Sequence, residues 1–170
     1  MDIAVKGGKI VEIGHALSAE TLEEIDAAGH LVSPPFVDSH FHMDAALTYG
    51  QPRINASGTL LEGIALWAEL KPTLSVAEIK ARALRFCRWS IARGTLAIRS
   101  HVDISDPQLL AVEALLEVRE EIKPWLDLQL VAFPQDGFLR LPTARNNLLR
   151  ALDMGVDVVG GIPHFERTMA

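Results

Sequence analysis

The sequence has a single cysteine, no excess of positive charge and no long apolar run. One cysteine, Cys87, in 170 residues excludes an intrachain disulfide and a cysteine-based zinc ribbon. No stretch reaches the ~20 uncharged apolar residues of a membrane span, and the start lacks the apolar core of a secretory signal. Lys and Arg total 16 against 22 Asp and Glu, so the basic face of a nucleic-acid or anionic-membrane binder is missing. We therefore expect a cytoplasmic protein that binds neither nucleic acid nor membranes.

Hydrophobic residues make up 49% of the chain, which is enough to build a core. Two short β-type runs, 2–5 and 9–13, flank a glycine pair, which is the signal of a hairpin. The Ser-Pro-Pro step that follows Val32 cannot lie inside a helix, and the composition changes there. Residues 1–32 are therefore predicted to form a partial small β domain, and residues 33–170 a separate unit.

Strands and helices alternate from residue 36 onward. Apolar runs predict strands at 36–41, 96–102, 128–133 and 156–162. Capping residues and helical periodicity predict helices from Ser75 to just before Gly94, from Asp106-Pro107 to about Lys123, and over 143–154. The long return at 44–73 is interpreted as an elaborated loop. This alternation is typical of a parallel sheet covered by helices, so the predicted fold class is α/β.

Two histidines close the first predicted strand. His40 and His42 are two residues apart, so their side chains share one face, about 7 Å apart along the backbone. Two neutral imidazoles on one wall suit zinc or ferrous iron. The spacing alone also fits two unrelated histidines at a strand end. Asp44 could orient an imidazole or could simply cap the turn.

The other predicted strands also end in polar groups. Arg99, His101 and Asp103 share a face of the second strand, and charged side chains cannot point into an apolar layer. They form either part of a site or a His–Asp hydrogen bond that finishes the strand. Gln135 follows the third strand and His164 the fourth. The catalytic face of a (β/α)8 barrel is built from such strand ends.

Five segments of the sequence carry a resemblance to a known family. They are PPFVDSHFHMD, GQPRINASGTLLEGIALWAE, SHVDISD, DLQLVAFPQDG and GVDVVGGIPHFE, and they run in order from about residue 31 to 167. Together they resemble the bacterial cytosine deaminases of the amidohydrolase superfamily. The resemblance implies the first half of a (β/α)8 TIM-type barrel, preceded by part of a small β domain.

The resemblance also implies roles for individual residues. His40 and His42 match ligands of a divalent metal, iron(II) or zinc, and Leu60 and Gln135 match residues that line the substrate pocket. His101, Asp103 and His164 match the active face without a defined role. The implied reaction is hydrolytic deamination of a small cyclic amidine or pyrimidine, such as cytosine to uracil and ammonia.

The family's remaining metal ligands and its general base match no position up to residue 170. We therefore expect no catalytic acid or base within this chain, and no activity from the chain alone. A related aminohydrolase acting on triazine, isoguanine or creatinine-like rings is one alternative. Another is a non-catalytic half-barrel that pairs with itself as a homo-oligomer or with a complementing chain, because four parallel strands leave two open edges.

Overall fold

The computed structural model describes residues 1–18 and 20–166, apart from the side chain of His164. The chain divides into two units, Met1–Pro34 and Pro35–Ala170. Among the described residues, none of the helices combines the length and apolar composition needed to cross a bilayer.

The first unit contains the predicted hairpin. Strands β1 (Asp2–Lys6) and β2 (Lys9–Gly14) pair antiparallel. The turn needs two residues of positive φ, and Gly7 and Gly8 supply them at 59° and 75°. The hairpin prediction is therefore confirmed. It succeeded because a glycine pair is a strong local signal for such a turn.

The second unit is a parallel sheet with helices between its strands. Its strands are β3 (Phe36–Phe41), β4 (Thr95–Asp103), β5 (Asp127–Phe133) and β6 (Val158–Val159), in that spatial order. Its helices are α1 (Leu60–Leu70), α2 (Val76–Ile91), α3 (Leu110–Ile122) and α4 (Ala144–Asp153), with short 3-10 turns at Lys71–Thr73 and Pro163–Phe165. The predicted α/β organisation is thus observed, and all the strands of this sheet run parallel.

The core lies between one face of this sheet and the helices. Alternate residues of β4 and β5 are almost fully buried in a cluster shared with α2 and α3. They are Ile98, Val102, Leu128, Leu130 and Ala132. Burying one such aliphatic side chain contributes about 1.5–3 kcal/mol. Cys87 of α2 is wholly buried in the same cluster, and burial raises the pKa of its thiol to about 11, so it is a core side chain.

The segment predicted as a loop contains a helix, which corrects that prediction. Helix α1 begins after Thr59, whose hydroxyl accepts a hydrogen bond from the Glu62 backbone N–H at 3.3 Å. A Thr followed three residues later by Glu is a helix-start signal of the type that correctly predicted α2, where Ser75 and Glu78 form a full capping box.

The predicted start of α3 is also wrong. The Asp106 carboxylate accepts hydrogen bonds from the backbone N–H groups of Gln108 and Leu110, at 2.9 and 3.2 Å. These bonds form a turn before the helix, and Leu109 adopts a left-handed conformation with φ 56°. The helix therefore begins at Leu110, because Asp side chains can stabilise a turn as readily as a helix cap.

The fourth strand is shorter than the predicted 156–162. Only Val158–Val159 pairs with β5 in the parallel ladder. Gly160 ends it at a close approach to β5, where a Cβ would lie 2.8 Å from Val131 Cγ1. The prediction failed because the apolar run continues past the point at which the edge strand leaves the sheet.

Candidate active site

Three histidine rings converge at the ends of β3 and β4. His40 lies in β3, His42 just beyond it, and His101 near the end of the adjacent β4. The ring centroids are 4.0 Å apart for His40 and His101, 5.4 Å for His40 and His42, and 5.6 Å for His42 and His101. We call these three residues the imidazole cluster. The parallel pairing of β3 with β4 brings His101 to the pair that the sequence places on one face.

Phe133 forms an apolar wall beside this cluster. It is the last residue of β5, is 8% exposed, and its ring meets those of His42 and His101 edge-on at 5.3 and 5.5 Å. An apolar side chain at this distance limits the water that can solvate a charged imidazole.

Burial and mutual repulsion favour the neutral rings of His42 and His101. Burial lowers the pKa of His42, and the neighbouring His101 and His40 lower it further, against a smaller opposing effect of Asp103. Burial and His40 likewise lower the pKa of His101. The neutral imidazole is the form that binds metals.

The donor chemistry of this cluster fits a divalent metal such as zinc or iron(II). The His101 Nδ1 atom is buried and has no hydrogen-bond partner among the described residues. However, among the side chains that the structure describes, which do not include that of His164, no three His, Cys, Asp or Glu groups form an arrangement that could hold an ion. The residues therefore fit a metal by donor type, while the described arrangement is not a complete coordination shell.

Asp103 points into a different network from His101. Its Oδ1 accepts from the Ser105 backbone N–H at 2.7 Å, and its Oδ2 accepts from Trp67 Nε1 at 2.7 Å and Lys71 Nζ at 3.2 Å. Within the described part of the chain, no hydrogen bond joins Asp103 to His101. The alternative of a His–Asp bond that finishes the strand is therefore wrong.

Two further carboxylates hold backbone groups. Asp44 is buried, and it accepts from the backbone N–H groups of Asp103 at 2.8 Å and Ala45 at 3.0 Å. Burial raises the pKa of the Asp44 carboxyl to about 7. Asp38 accepts from the backbone N–H of His40 at 3.2 Å. Asp44 thus fixes the end of β4 against the segment after His42. This role differs from both roles predicted for Asp44, which were capping a turn and orienting an imidazole ring.

The predicted pocket residues occupy different surroundings. Gln135 is half-buried in the turn after β5, two residues beyond Phe133, and its backbone N–H donates to the Phe133 carbonyl at 2.9 Å. Leu60 is the first residue of α1 and is 70% exposed. Arg99 lies further back along β4 and donates from Nε to Gln129 Oε1 at 2.6 Å. The side chain of His164 is outside what the structure describes.

Sequence reasoning assigned no role to Lys71 or Asp136, which the structure joins to Asp103. Lys71 Nζ contacts Asp136 Oδ2 at 2.7 Å as well as Asp103. These groups are separated by 32 and 65 residues along the chain. No local pattern could have signalled the contact, since it depends on where α1 ends above the sheet.

Comparison with known proteins gives one family and several close structures. A family model described as "Amidohydrolase family" matches residues 23–170. The crystal structure of 5-methylcytosine deaminase from Klebsiella pneumoniae liganded with phosphonocytosine superposes with a TM-score of 0.90. The two sequences are 43% identical, and the match covers 98% of this chain and 41% of the deaminase chain.

Two further matches are enzymes whose names contain N-isopropylammelide. N-isopropylammelide isopropyl amidohydrolase of Pseudomonas sp. (strain ADP) is 38% identical over 166 residues, which are 95% of this chain and 41% of the relative. The structure of N-isopropylammelide isopropylaminohydrolase from Burkholderia multivorans ATCC 17616 has a TM-score of 0.76 and 31% identity, covering 93% of this chain and 40% of that one.

The chain thus spans about two fifths of the length of these three proteins. Over that span, the TM-score of 0.90 together with the four-stranded parallel sheet confirms the predicted fold class, the first half of a (β/α)8 TIM-type barrel. The predicted resemblance to bacterial cytosine deaminases is confirmed as well.

Proposed function

Because the chain belongs to the amidohydrolase family, we propose that the protein containing it hydrolyses an exocyclic C–N bond of a small ring, in the manner of a cytosine deaminase. The products are ammonia and a ring carbonyl. The observation that carries this proposal is the imidazole cluster at the carboxyl ends of β3 and β4. Strand ends of this kind form the active face of (β/α)8 enzymes.

Members of this superfamily generally use a divalent metal. In the proposed site His40 and His42 would hold this metal, which would be iron(II) or zinc. When bound, such a metal lowers the pKa of water and supplies a nucleophile near neutral pH. The unpartnered Nδ1 of His101 lies beside these two rings and supports a place for His101 at the same centre.

Gln135 and Leu60 are proposed to contact the substrate ring. The Gln135 amide offers both a donor and an acceptor, which matches a ring carbonyl next to a ring nitrogen. Its position two residues after Phe133, which touches the imidazole cluster, supports this role. Leu60 would supply an apolar contact. We assign no catalytic acid or base within residues 1–170. The proposed role of these residues is to bind the metal and to orient the substrate ring.

The second candidate reaction removes an alkylamine from a triazine ring. It is favoured by the N-isopropylammelide enzymes, whose likeness covers 95% and 93% of this chain. Rings of isoguanine and creatinine type belong to the same class of test compounds. All are planar and carry an amide-like edge that one glutamine could recognise.

The test uses the protein encoded by the complete reading frame in which these residues occur. Its bound metal is measured, and release of ammonia or isopropylamine is followed with cytosine, 5-methylcytosine, isoguanine, creatinine and N-isopropylammelide. We expect turnover of one ring class, reduced by about 100-fold or more in His40→Ala and His42→Ala together with loss of metal. Turnover that persists in both variants would show that the imidazole cluster is not the reaction centre.

A partner for the open sheet edges is a separate proposal. Within the described residues β3 and β6 each pair on one side only, and Phe36, Val37 and Val159 are 63%, 69% and 56% exposed. We propose that a second copy or a complementing chain covers them. Light scattering at several concentrations should show a mass above that of one chain.

We also propose that the protein is located in the cytoplasm. This proposal rests on the small substrate and the single cysteine.

A further inference from the structure

One lysine joins three segments that are distant in the sequence. The Lys71 ammonium lies between the carboxylates of Asp103, at the end of β4, and Asp136, in the turn after β5. Lys71 itself follows the last residue of α1. A single charged group therefore ties the end of α1 to the ends of two adjacent strands.

Two more hydrogen bonds close the arrangement. Trp67 Nε1 of α1 donates to the same Asp103 oxygen that Lys71 contacts, at 2.7 Å. The Asp136 backbone N–H donates to Ser105 Oγ at 3.0 Å, and the Ser105 backbone N–H donates back to Asp103. We call these five residues, Trp67, Lys71, Asp103, Ser105 and Asp136, the Lys71 clasp.

The clasp is sheltered from solvent more than the other bridging lysine of this unit. The Lys71 side chain is 17% exposed, that of Asp103 is 4% exposed and that of Asp136 is 37% exposed. Lys80, which bridges Glu117 and Glu121, is 30% exposed, and its acids are each 47% exposed. Burial lowers the pKa of the Lys71 ammonium, but Asp103 and Asp136 more than offset this and raise it overall. A sheltered, charged bridge of this kind constrains geometry more strongly than a surface pair.

We propose that Lys71 is a positioning residue, which fixes the turn carrying Gln135 and the end of α1 against the strand that carries His101. The inference rests on the proposed function, from which the role of Gln135 comes. Among the described residues, no hydrogen bond or ion pair joins the clasp to a ring of the imidazole cluster. It acts through Asp136, the direct neighbour of Gln135, and through Asp103, two residues beyond His101.

Backbone hydrogen bonds also hold this turn. At its start the Ile104 N–H, just after β4, donates to the Phe133 carbonyl at 3.0 Å. The Gln135 and Gly137 backbone N–H groups donate to carbonyls of the same turn, Phe133 and Pro134, at 2.9 and 2.8 Å. The residues that follow are held separately by Glu166, whose carboxylate accepts from the backbone N–H groups at 138 and 139. Asp136 thus links the turn to the neighbouring strand end, and Lys71 holds the Asp136 carboxylate.

The kinetic test compares Lys71→Met with a matched control, Lys80→Met, in the protein of the complete reading frame. Lys71→Met should lower kcat/KM about 30-fold, chiefly through KM, because a displaced amide weakens substrate binding. Lys71→Arg, which can still reach both carboxylates, should recover activity to within about fivefold of the parent, and Lys80→Met should change it less than about twofold.

Non-additivity distinguishes positioning from a general loss of stability. In a Gln135→Ala background the group that Lys71 positions is gone, so Lys71→Met should lower kcat/KM by less than about threefold more. Fully additive losses would overturn the assignment. Melting temperatures of all variants are measured alongside.

Hydrogen exchange tests the clasp without any turnover. Amides of residues 135–137 should exchange about tenfold faster in Lys71→Met than in the parent, and at the parent rate in Lys80→Met. If the parent deaminates no ring of the panel, the proposed function is wrong, while the exchange result still decides the clasp. Unchanged exchange in Lys71→Met would overturn it. Where that variant does not fold, Asp136→Asn, which keeps the side-chain shape and loses the shorter ion pair, is judged by the same rates.

Discussion

The two faces of β4 contact different surroundings although their residues alternate along one strand. On the helix-facing side Ile98, Ser100 and Val102 are at most 1% exposed and belong to the core or bond within it. On the other side His101 meets two more imidazoles, and Asp103 takes part in the Lys71 clasp. The comparison teaches that one strand separates the stability of the unit from its chemistry by side-chain direction alone.

The largest expected effect is on the helix-facing side. Leu130→Ala in β5 removes a side chain with no exposed surface and should lower the free energy of unfolding by about 3 kcal/mol. Urea unfolding followed by circular dichroism measures it. Leu96→Ala, at a position 37% exposed, is the control and should cost less than about 1 kcal/mol. Equal losses at the two positions would show that burial on the helix-facing side does not decide the stability of the unit.

The next effect is on the opposite side. His101→Ala should lower turnover about 50-fold in the protein of the complete reading frame, because it removes a ring 4.0 Å from that of His40. Its unfolding free energy should change by less than about 1 kcal/mol. Arg99→Ala, on the same face but bonded to Gln129, is the control and should keep most activity. A stability loss in His101→Ala as large as in Leu130→Ala would contradict the separation.

A smaller effect is expected at the one polar side chain on the apolar face of β4. Ser100 Oγ accepts from the buried backbone N–H of Met43 at 3.0 Å. Ser100→Ala leaves that group without this partner and should cost about 1–2 kcal/mol, measured by the same urea titration. Ser39→Ala, at an exposed position of β3, serves as the matched change and should be close to neutral. Equal costs would show that the Met43 bond contributes nothing.

The smallest effect is expected for a thiol reagent acting on the native protein. Cys87 is wholly buried and burial raises the pKa of its thiol to about 11, so labelling by a disulfide reagent at pH 8 should be negligible until urea unfolds the chain. The labelling should follow the unfolding transition. Rapid labelling without denaturant would show that the helix-facing side opens easily.

Local signals predicted the parts of the fold that they control. The glycine pair predicted the hairpin, and Ser75 with Glu78 predicted the start of α2, because each signal acts over a few residues. The start of α3 was wrong because the Asp106 side chain can satisfy either a turn or a helix cap. Strand alternation placed His40 and His42 on one face, as the structure has them, for the same local reason.

Contacts between distant segments could not be predicted in the same way. His101 reaches His40 only through the pairing of β3 with β4, across more than fifty intervening residues. The Lys71 contacts depend on α1, which lay within the predicted loop. Sequence patterns predict the face on which a side chain lies, whereas strand register and helix placement decide which residues it contacts.

The hydrogen bond from the Met43 backbone N–H to Ser100 Oγ has a consequence for engineering. Met43 follows His42 directly, has no exposed surface, and its sulfur lies 3.8 Å from Cys87 Sγ. A single peptide bond therefore separates a proposed metal ligand from a fully buried residue of the core. Repacking around Cys87 to raise thermal tolerance would move His42 along with Met43, so stabilising libraries at this spot should be screened for metal retention as well as for melting temperature.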